Sequence, residues 1–207
     1  MHISLPATSR AKRQKFRHMA GFTLVELIST IVLIGILSAL AASRFFERES
    51  FDTRGYADQI TSMLRYGQKL AIAQNRPVYV RLLQSVGVPP SYTGVALCFN
   101  SSTCTLATDL VVHPSGSNSR STETTNVCAG STSWFCEGLP RGLTLSVTPS
   151  PAITGFYFDA LGKPFALSDS FPSATSTFIT RNITINASGA GVSSSITIEA
   201  ETGYVHQ

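Results

Sequence analysis

The chain has 207 residues, of which 43% are hydrophobic and only 14% are charged, and its formal net charge is +4. That length accommodates one ordinary domain plus an extension. The first 21 residues contain five Lys or Arg residues and no acidic residue, so the side chains of the remainder sum to 4 − 5 = −1. A nearly neutral remainder excludes a global electrostatic attraction to DNA or RNA.

Residues 22–42 form an apolar run, FTLVELISTIVLIGILSALAA, whose single charged residue is Glu26. As a helix, such a run rises ~30 Å, about the thickness of the hydrocarbon core of a bilayer. The basic residues before the run predict that residues 1–21 stay in the cytoplasm and that the chain after Ser43 is exported. We therefore predict a membrane helix over residues 22–43.

Two other interpretations of the apolar run remain to be weighed. Residues 39–41 (Ala-Leu-Ala) fit the small-x-small cleavage site of a secretory signal peptide, but the run is longer than the usual apolar region of roughly 7–15 residues. It also contains a carboxylate near its start. A buried helix in a soluble domain fits neither the basic flank nor the unbroken apolarity. The membrane helix is preferred to both.

Residues 21–28, GFTLVELI, resemble the processing site of type IV prepilins and pseudopilins. In that family a membrane peptidase cuts after the glycine and methylates the new amino terminus, and a glutamate stands fifth in the mature chain. The resemblance implies cleavage between Gly21 and Phe22, methylation of Phe22, and a role for Glu26 in subunit assembly. Gly21 would let an extended backbone enter the peptidase without a side-chain clash. Glu26 would be an ionisable group within lipid, which needs a partner.

The same resemblance implies a location and partners. The subunit would wait in the inner membrane as a single-pass protein with residues 1–21, a leader to be cleaved, in the cytoplasm. It would then enter a pilus or a related extracellular filament. Its partners would be other pilin subunits, the prepilin peptidase and methylase, and the inner-membrane assembly platform. No cofactor, metal, nucleic acid or small-molecule substrate is implied.

After the apolar run, the spacing of apolar residues predicts a second helical stretch, amphipathic, over residues 52–75. Pro77 cannot continue it. Beyond Pro77 the pattern changes to short segments of period two, separated by Ser/Thr/Gly-rich connections, above all Pro114–Thr125 and Ser168–Ser176. The predicted strands are Val78–Leu83, Gly94–Phe99, Leu143–Thr148, Ile153–Phe158, Asn182–Asn186 and Ile196–Glu199.

These elements predict an α+β fold. The resemblance implies the pilin-like arrangement, in which one long amino-terminal helix, half in the membrane and half amphipathic, packs on an antiparallel β-sheet. Residues 44–207 would form the exported globular domain, which includes the amphipathic stretch.

Three further segments are similar to the FimT/GspH-like branch of minor pilins: Tyr66–Val78, Phe158–Gly162 and Glu201–His206. Within that branch the chain is most similar to minor pilins of mannose-sensitive haemagglutinin (MSHA) pili. That similarity implies a low-abundance structural subunit that helps to start or cap filament assembly. A GspH-like minor pseudopilin of a type II secretion system is the alternative.

All four cysteines, Cys98, Cys104, Cys128 and Cys136, lie in the predicted exported part. Four cysteines allow three pairings. Short loops favour Cys98–Cys104 and Cys128–Cys136, and an oxidising periplasm preserves such bonds. A zinc site would require C-x₂₋₄-C spacing, which neither pair has. We therefore predict two disulfides and no metal site.

The sequence lacks the G-x-S-x-G, P-loop and H-E-x-x-H motifs, so an anchored enzyme has no support. A minor pilin that binds DNA for uptake would need a basic surface, and the only local concentration of basic residues is Arg65, Lys69, Arg76 and Arg81. The Trp134-Phe135 pair could form an exposed binding tip or a small satellite core. The core is favoured because aromatic side chains bury large areas.

Overall fold

The computed structural model describes residues 22–85, 91–99, 103–104, 107–188 and 191–207; the side chains of residues 39–49, 85, 91 and 107 lie outside that description. The predicted leader, residues 1–21, also lies outside it. The chain divides into two compact units, Met1–Ala42 and Ser43–Gln207. Helix α1, Leu24–Gln74, begins in the first unit and ends in the second.

The described elements that follow α1 form two antiparallel sheets and a short helix. One sheet has the strand order β3-β2-β1-β5-β6 and the other has β4-β7-β8-β9. The α+β prediction is confirmed, although the single sheet expected from the sequence is two sheets. The elements are β1 (Val78–Ser85), β2 (Ser91–Phe99), a 3₁₀ turn (Ala107–Asp109), α2 (Thr122–Val127), β3 (Cys136–Gly138), β4 (Leu143–Thr148), β5 (Gly155–Phe158), β6 (Pro164–Ala166), β7 (Arg181–Ala187), β8 (Ser193–Ile198) and β9 (Val205–His206).

In the second unit, α1 is amphipathic and its apolar side forms part of the core. Ile60, Met63 and Leu64 are fully buried and belong to the same cluster as side chains from both sheets. The helix ends at Gln74, one residue before the predicted end. Asn75 adopts the left-handed conformation (φ 50°) that commonly follows the last helical residue.

Strand β4 has the predicted bounds, and the other five predicted strands are present with ends that differ by up to three residues, as where β2 begins at Ser91 instead of Gly94. The shortest strands, β3, β6 and β9, were not predicted, because two or three residues are too few to show a period. Helix α2 was also missed. It begins at Thr122, so the predicted loop over Pro114–Thr125 is wrong in its last residues. The Ser121 side chain caps α2 by accepting a hydrogen bond from the N–H of Thr124 at 3.0 Å.

The segments Tyr66–Val78, Phe158–Gly162 and Glu201–His206 meet at one side chain, Gln68. Its Nε2 donates to the carbonyl of Gly162 and to that of Thr202, both at 2.9 Å. Gly162 and Gly203 have φ of 81° and 66°, and a Cβ at Gly162 would lie 2.8 Å from Ile72 Cδ1. Both turns therefore favour glycine for their conformation, and at Gly203 a Cβ would also clash with the backbone carbonyl of Gly162.

We predict that Gln68→Ala lowers the free energy of unfolding by about 1–2 kcal/mol, because two carbonyls lose their shared donor. Gln74→Ala, an exposed glutamine on the same helix, should change it by less than about 0.5 kcal/mol. Urea unfolding of the full-length chain in detergent micelles measures both. Equal effects of the two substitutions would show that Gln68 does not tie the turns to α1.

Candidate functional site: the amino-terminal helix

The start of α1 is fixed by a hydrogen-bonded cap. The Thr23 hydroxyl accepts the N–H of Glu26 at 3.2 Å, and the Thr23 carbonyl accepts the N–H of Leu27 at 3.1 Å. Thr23 is thus the N-cap and Glu26 the third helical residue, the spacing of a capping box. A carboxylate in the first turn is also favoured by the helix dipole. The cap therefore places the Glu26 charge in the first turn of α1.

The described surface of residues 22–38 is apolar on every side. Its large apolar side chains are each between 54% and 77% exposed. Four consecutive residues, Ile31 to Ile34, point in four directions around the helix, because successive residues turn by about 100°. A helix that is hydrophobic all round belongs in a core, in a membrane or among other helices.

The hydroxyl groups in this segment are turned back onto their own helix. Ser29 donates to the carbonyl of Glu26 at 3.0 Å, Thr30 to that of Leu27 at 2.8 Å, and Ser38 to that of Ile34 at 2.7 Å. Each hydroxyl therefore presents little unsatisfied polarity to its surroundings. The hydroxyl groups do not interrupt the apolar character of the helix.

Glu26 is the one charged side chain in residues 22–38 and is exposed. Among the described residues it has no ion-pair partner. Of the predicted processing pair, the structure places only Phe22, which is 77% exposed, whereas Gly21 lies outside the described residues.

Within the described residues, no helix combines the length and the apolarity needed to cross a membrane. The predicted span over residues 22–43 includes residues 39–43, whose side chains lie outside the described part of the chain. The membrane helix accordingly stays a prediction.

The cysteines form two bonds, Cys98–Cys104 and Cys128–Cys136, with Cα–Cα distances of 5.6 and 5.9 Å. They border a small apolar cluster that contains Trp134. The indole N–H of Trp134 donates to a backbone carbonyl of β2 at 2.8 Å. Trp134 and Phe135 are 7% and 4% exposed, so the pair belongs to the core and forms no binding tip.

Glu137 is a buried carboxylate, 1% exposed, that no sequence pattern marked. Its side chain accepts hydrogen bonds from the Ser119 N–H at 2.9 Å and the Thr124 hydroxyl at 3.1 Å. His113 Nε2 lies 4.0 Å from Glu137 Oε1. Burial, and to a lesser extent the charge of Glu137, raises the pKa of Tyr56, whose hydroxyl donates to the Glu137 backbone carbonyl. These contacts are structural, and the described residues contain no group of three metal-ligating side chains.

Two of the four candidate DNA-binding cations, Arg65 and Arg76, contact other groups of the domain. Arg65 Nε donates to a backbone carbonyl of β9 at 2.9 Å, and the Arg76 guanidinium stands 3.3 Å from the centre of the Phe99 ring. Arg81 is half-buried, and burial lowers its pKa. Only Lys69 is exposed without such a contact among the described residues. The four side chains therefore do not form an open basic surface.

The sequence matches the family model of the prokaryotic N-terminal methylation motif over residues 16–42. The motif thus spans the predicted cleavage site, the capped start of α1 and the apolar run. A search of curated proteins finds no significant match.

Two solved structures with similar chains are both of minor subunits. The type IV minor pilin FimU of Pseudomonas aeruginosa is 16% identical, with a TM-score of 0.47 over 78% of this chain and 90% of that one. The minor pseudopilin EpsH of the type 2 secretion system of Vibrio cholerae is 12% identical, with a TM-score of 0.45 over 75% of this chain and 94% of that one.

We predict that removing the second disulfide with Cys128→Ala and Cys136→Ala destabilises the domain by about 2–3 kcal/mol, since the unfolded chain loses a constraint. The loss should be accompanied by a red shift of the Trp134 fluorescence, because that side chain packs beside the bond.

The pairing of the four cysteines is checked directly by non-reducing peptide mapping of the exported wild-type chain. A peptide that joins Cys98 to Cys128 would contradict both pairs.

Proposed function

We propose that the protein is a minor pilin or pseudopilin, a structural subunit of a type IV pilus or a type II secretion filament, without enzymatic activity. The observation that supports this most strongly is the methylation motif, which covers the first part of α1, where the described surface of residues 22–38 is apolar all round. The motif supplies the processing, and the helix supplies the surface by which subunits assemble.

The apolar segment suits two environments in turn. In the inner membrane, its side chains would face lipid. The basic residues of the leader would keep residues 1–21 in the cytoplasm. In the filament, the same side chains would face the helices of other subunits. Both surroundings are apolar, so moving between them costs little hydrophobic free energy, and helix packing decides the association.

Glu26 would make the move from the membrane into the filament specific for one arrangement of the subunits. A carboxylate costs about 2.5–3.5 kcal/mol at mid-membrane, and less near the edge. Its proposed partner is the amino group that cleavage creates at Phe22 of a neighbouring subunit. A charge left unpaired in a dry bundle is penalised, so only one axial register between subunits satisfies both groups.

For the particular system we propose a minor pilin of an MSHA pilus, similar to MshC, which helps to initiate assembly. The similarity rests on Tyr66–Val78, Phe158–Gly162 and Glu201–His206, whose convergence at Gln68 supports their common structural role. A GspH-like pseudopilin remains the alternative. DNA uptake is disfavoured, because three of its four candidate cations are engaged or half-buried.

The first test concerns processing. We expect mass spectrometry of the membrane-extracted protein to find an amino terminus at Phe22 that carries one methyl group. A terminus at Ala42 would instead indicate an ordinary signal peptidase and would end the proposal.

The second test concerns Glu26. We expect Glu26→Ala to be cleaved and retained in the membrane but largely absent from sheared filaments, since it cannot fix the register. Glu26→Asp should be intermediate, because the charge remains while its reach shortens. Ser29→Ala, one turn along the same helix, is the matched control and should enter filaments normally.

Immunoblots of the membrane and filament fractions measure this distribution. Wild-type incorporation of Glu26→Ala would refute the register role. Failure of its cleavage would assign Glu26 to peptidase recognition.

A further inference from the structure

A groove runs along one edge of the second sheet. Strand β4 is the edge strand of that sheet, and among the described residues it pairs with β7 alone. Its far side opens into a cavity of about 800 Å³, within the range of about 300–1,000 Å³ that ligand sites occupy. We call this cavity the β4 groove; it is bounded by Leu143, Leu145 and Val147 of β4 and, among others, by Tyr92, Val127 and Leu139.

The backbone of β4 presents hydrogen-bonding groups to the groove at every second residue. The N–H of Ser188 donates to the Gly142 carbonyl, so the backbone groups of Gly142 point toward the β7 side. The N–H of Ala187 instead donates to the Val192 carbonyl, on the side away from β4. Along an antiparallel pair, the backbone N–H and C=O groups of successive residues point alternately toward and away from the partner strand. The even-numbered residues of β4 therefore direct these groups toward β7. The N–H and C=O groups of Leu143, Leu145 and Val147 therefore point into the groove, where the N–H of Leu143 is taken by the Pro140 carbonyl.

Strand β4 lacks two of the usual protections of an exposed edge. Its sequence, LTLSVT, contains no charged residue and no proline, the devices that normally prevent an edge from pairing with other chains. Side chains from β2 and α2, among them Tyr92 and Val127, line the cavity beside this edge instead.

We propose that the β4 groove binds an extended segment of another protein, which adds to β4 as a further strand. A segment of about six residues, ~20 Å long, would span the groups of β4 that have no partner among the described residues. Its alternate side chains would meet the apolar groove residues, so an alternating apolar and polar sequence fits. The charges at the rim, Arg141 and Glu123, already pair with each other at 2.5 Å, which favours a segment without net charge.

This inference does not depend on the filament function. The groove lies wholly within the second unit, whereas the methylation motif and the apolar helix segment lie in the first. Pairing of β4 with β4 of a second copy is the alternative occupant, and the test below distinguishes it.

The probe is a library of random hexapeptides displayed on phage and selected on the full-length chain in detergent micelles. The selected peptide is then synthesised, and amide hydrogen exchange is measured with and without it. We expect exchange to slow at Leu145 and Val147, which gain partners. Thr144 and Ser146, whose N–H groups already face β7, should be unchanged and serve as internal controls.

Asn126→Trp places a large side chain in the groove from the exposed side of α2 and should weaken binding of that peptide by about tenfold or more. Thr125→Trp, exposed on the same helix but outside the groove lining, should leave it unchanged. The proposal is overturned if no selected peptide is sensitive to Asn126→Trp, or if its binding leaves Leu145 and Val147 exchanging as before. It is also overturned if those amides are already protected in a dimer of the free chain.

Discussion

A helix that is apolar on every side must be removed from water, and much of this molecule follows from that requirement. Burial of apolar surface stabilises by about 25 cal/mol per Å², so the exposed side chains of residues 22–38 represent a large unmet driving force. The cap at Thr23 and the back-bonded hydroxyls remove competing polarity. Only Glu26 interrupts the apolar surface. The free-energy cost of placing its charge in an apolar environment must be compensated by a partner.

Along α1 the pattern changes from apolar all round to amphipathic. From Tyr56 to Ala71, one side of the helix enters the core of the second unit and the opposite side stays polar. The two sheets complete that core, while Gln68 ties the turns at Gly162 and Gly203 to the helix. One helix therefore has two different parts, an apolar part and an amphipathic part. This arrangement suits a subunit whose domain must be stable while an apolar surface remains for assembly.

Much of this could be predicted from sequence, because the decisive signals are local. The octet 21–28, the apolar run and the period of the stretch 52–75 each lie within a short segment, and β4 shows clean alternation. What could not be predicted depends on pairing between distant residues. Nothing local marks Glu137 as buried, or shows that a single predicted sheet divides into two. The β4 groove was equally hidden, because an edge strand and a central strand can share the same sequence pattern.

We propose that the apolar segment of α1, residues 22–38, contacts other subunits in the assembled state. The most direct measurement places a photo-cross-linking side chain at position 31, in place of Ile31, in the full-length chain expressed with its assembly system. Mass spectrometry of the sheared filaments then identifies the attached peptides. The account predicts cross-links to the amino-terminal helices of other subunits. Cross-links confined to residues 43–207 of the same chain would contradict it, because the helix would then be covered by its own domain.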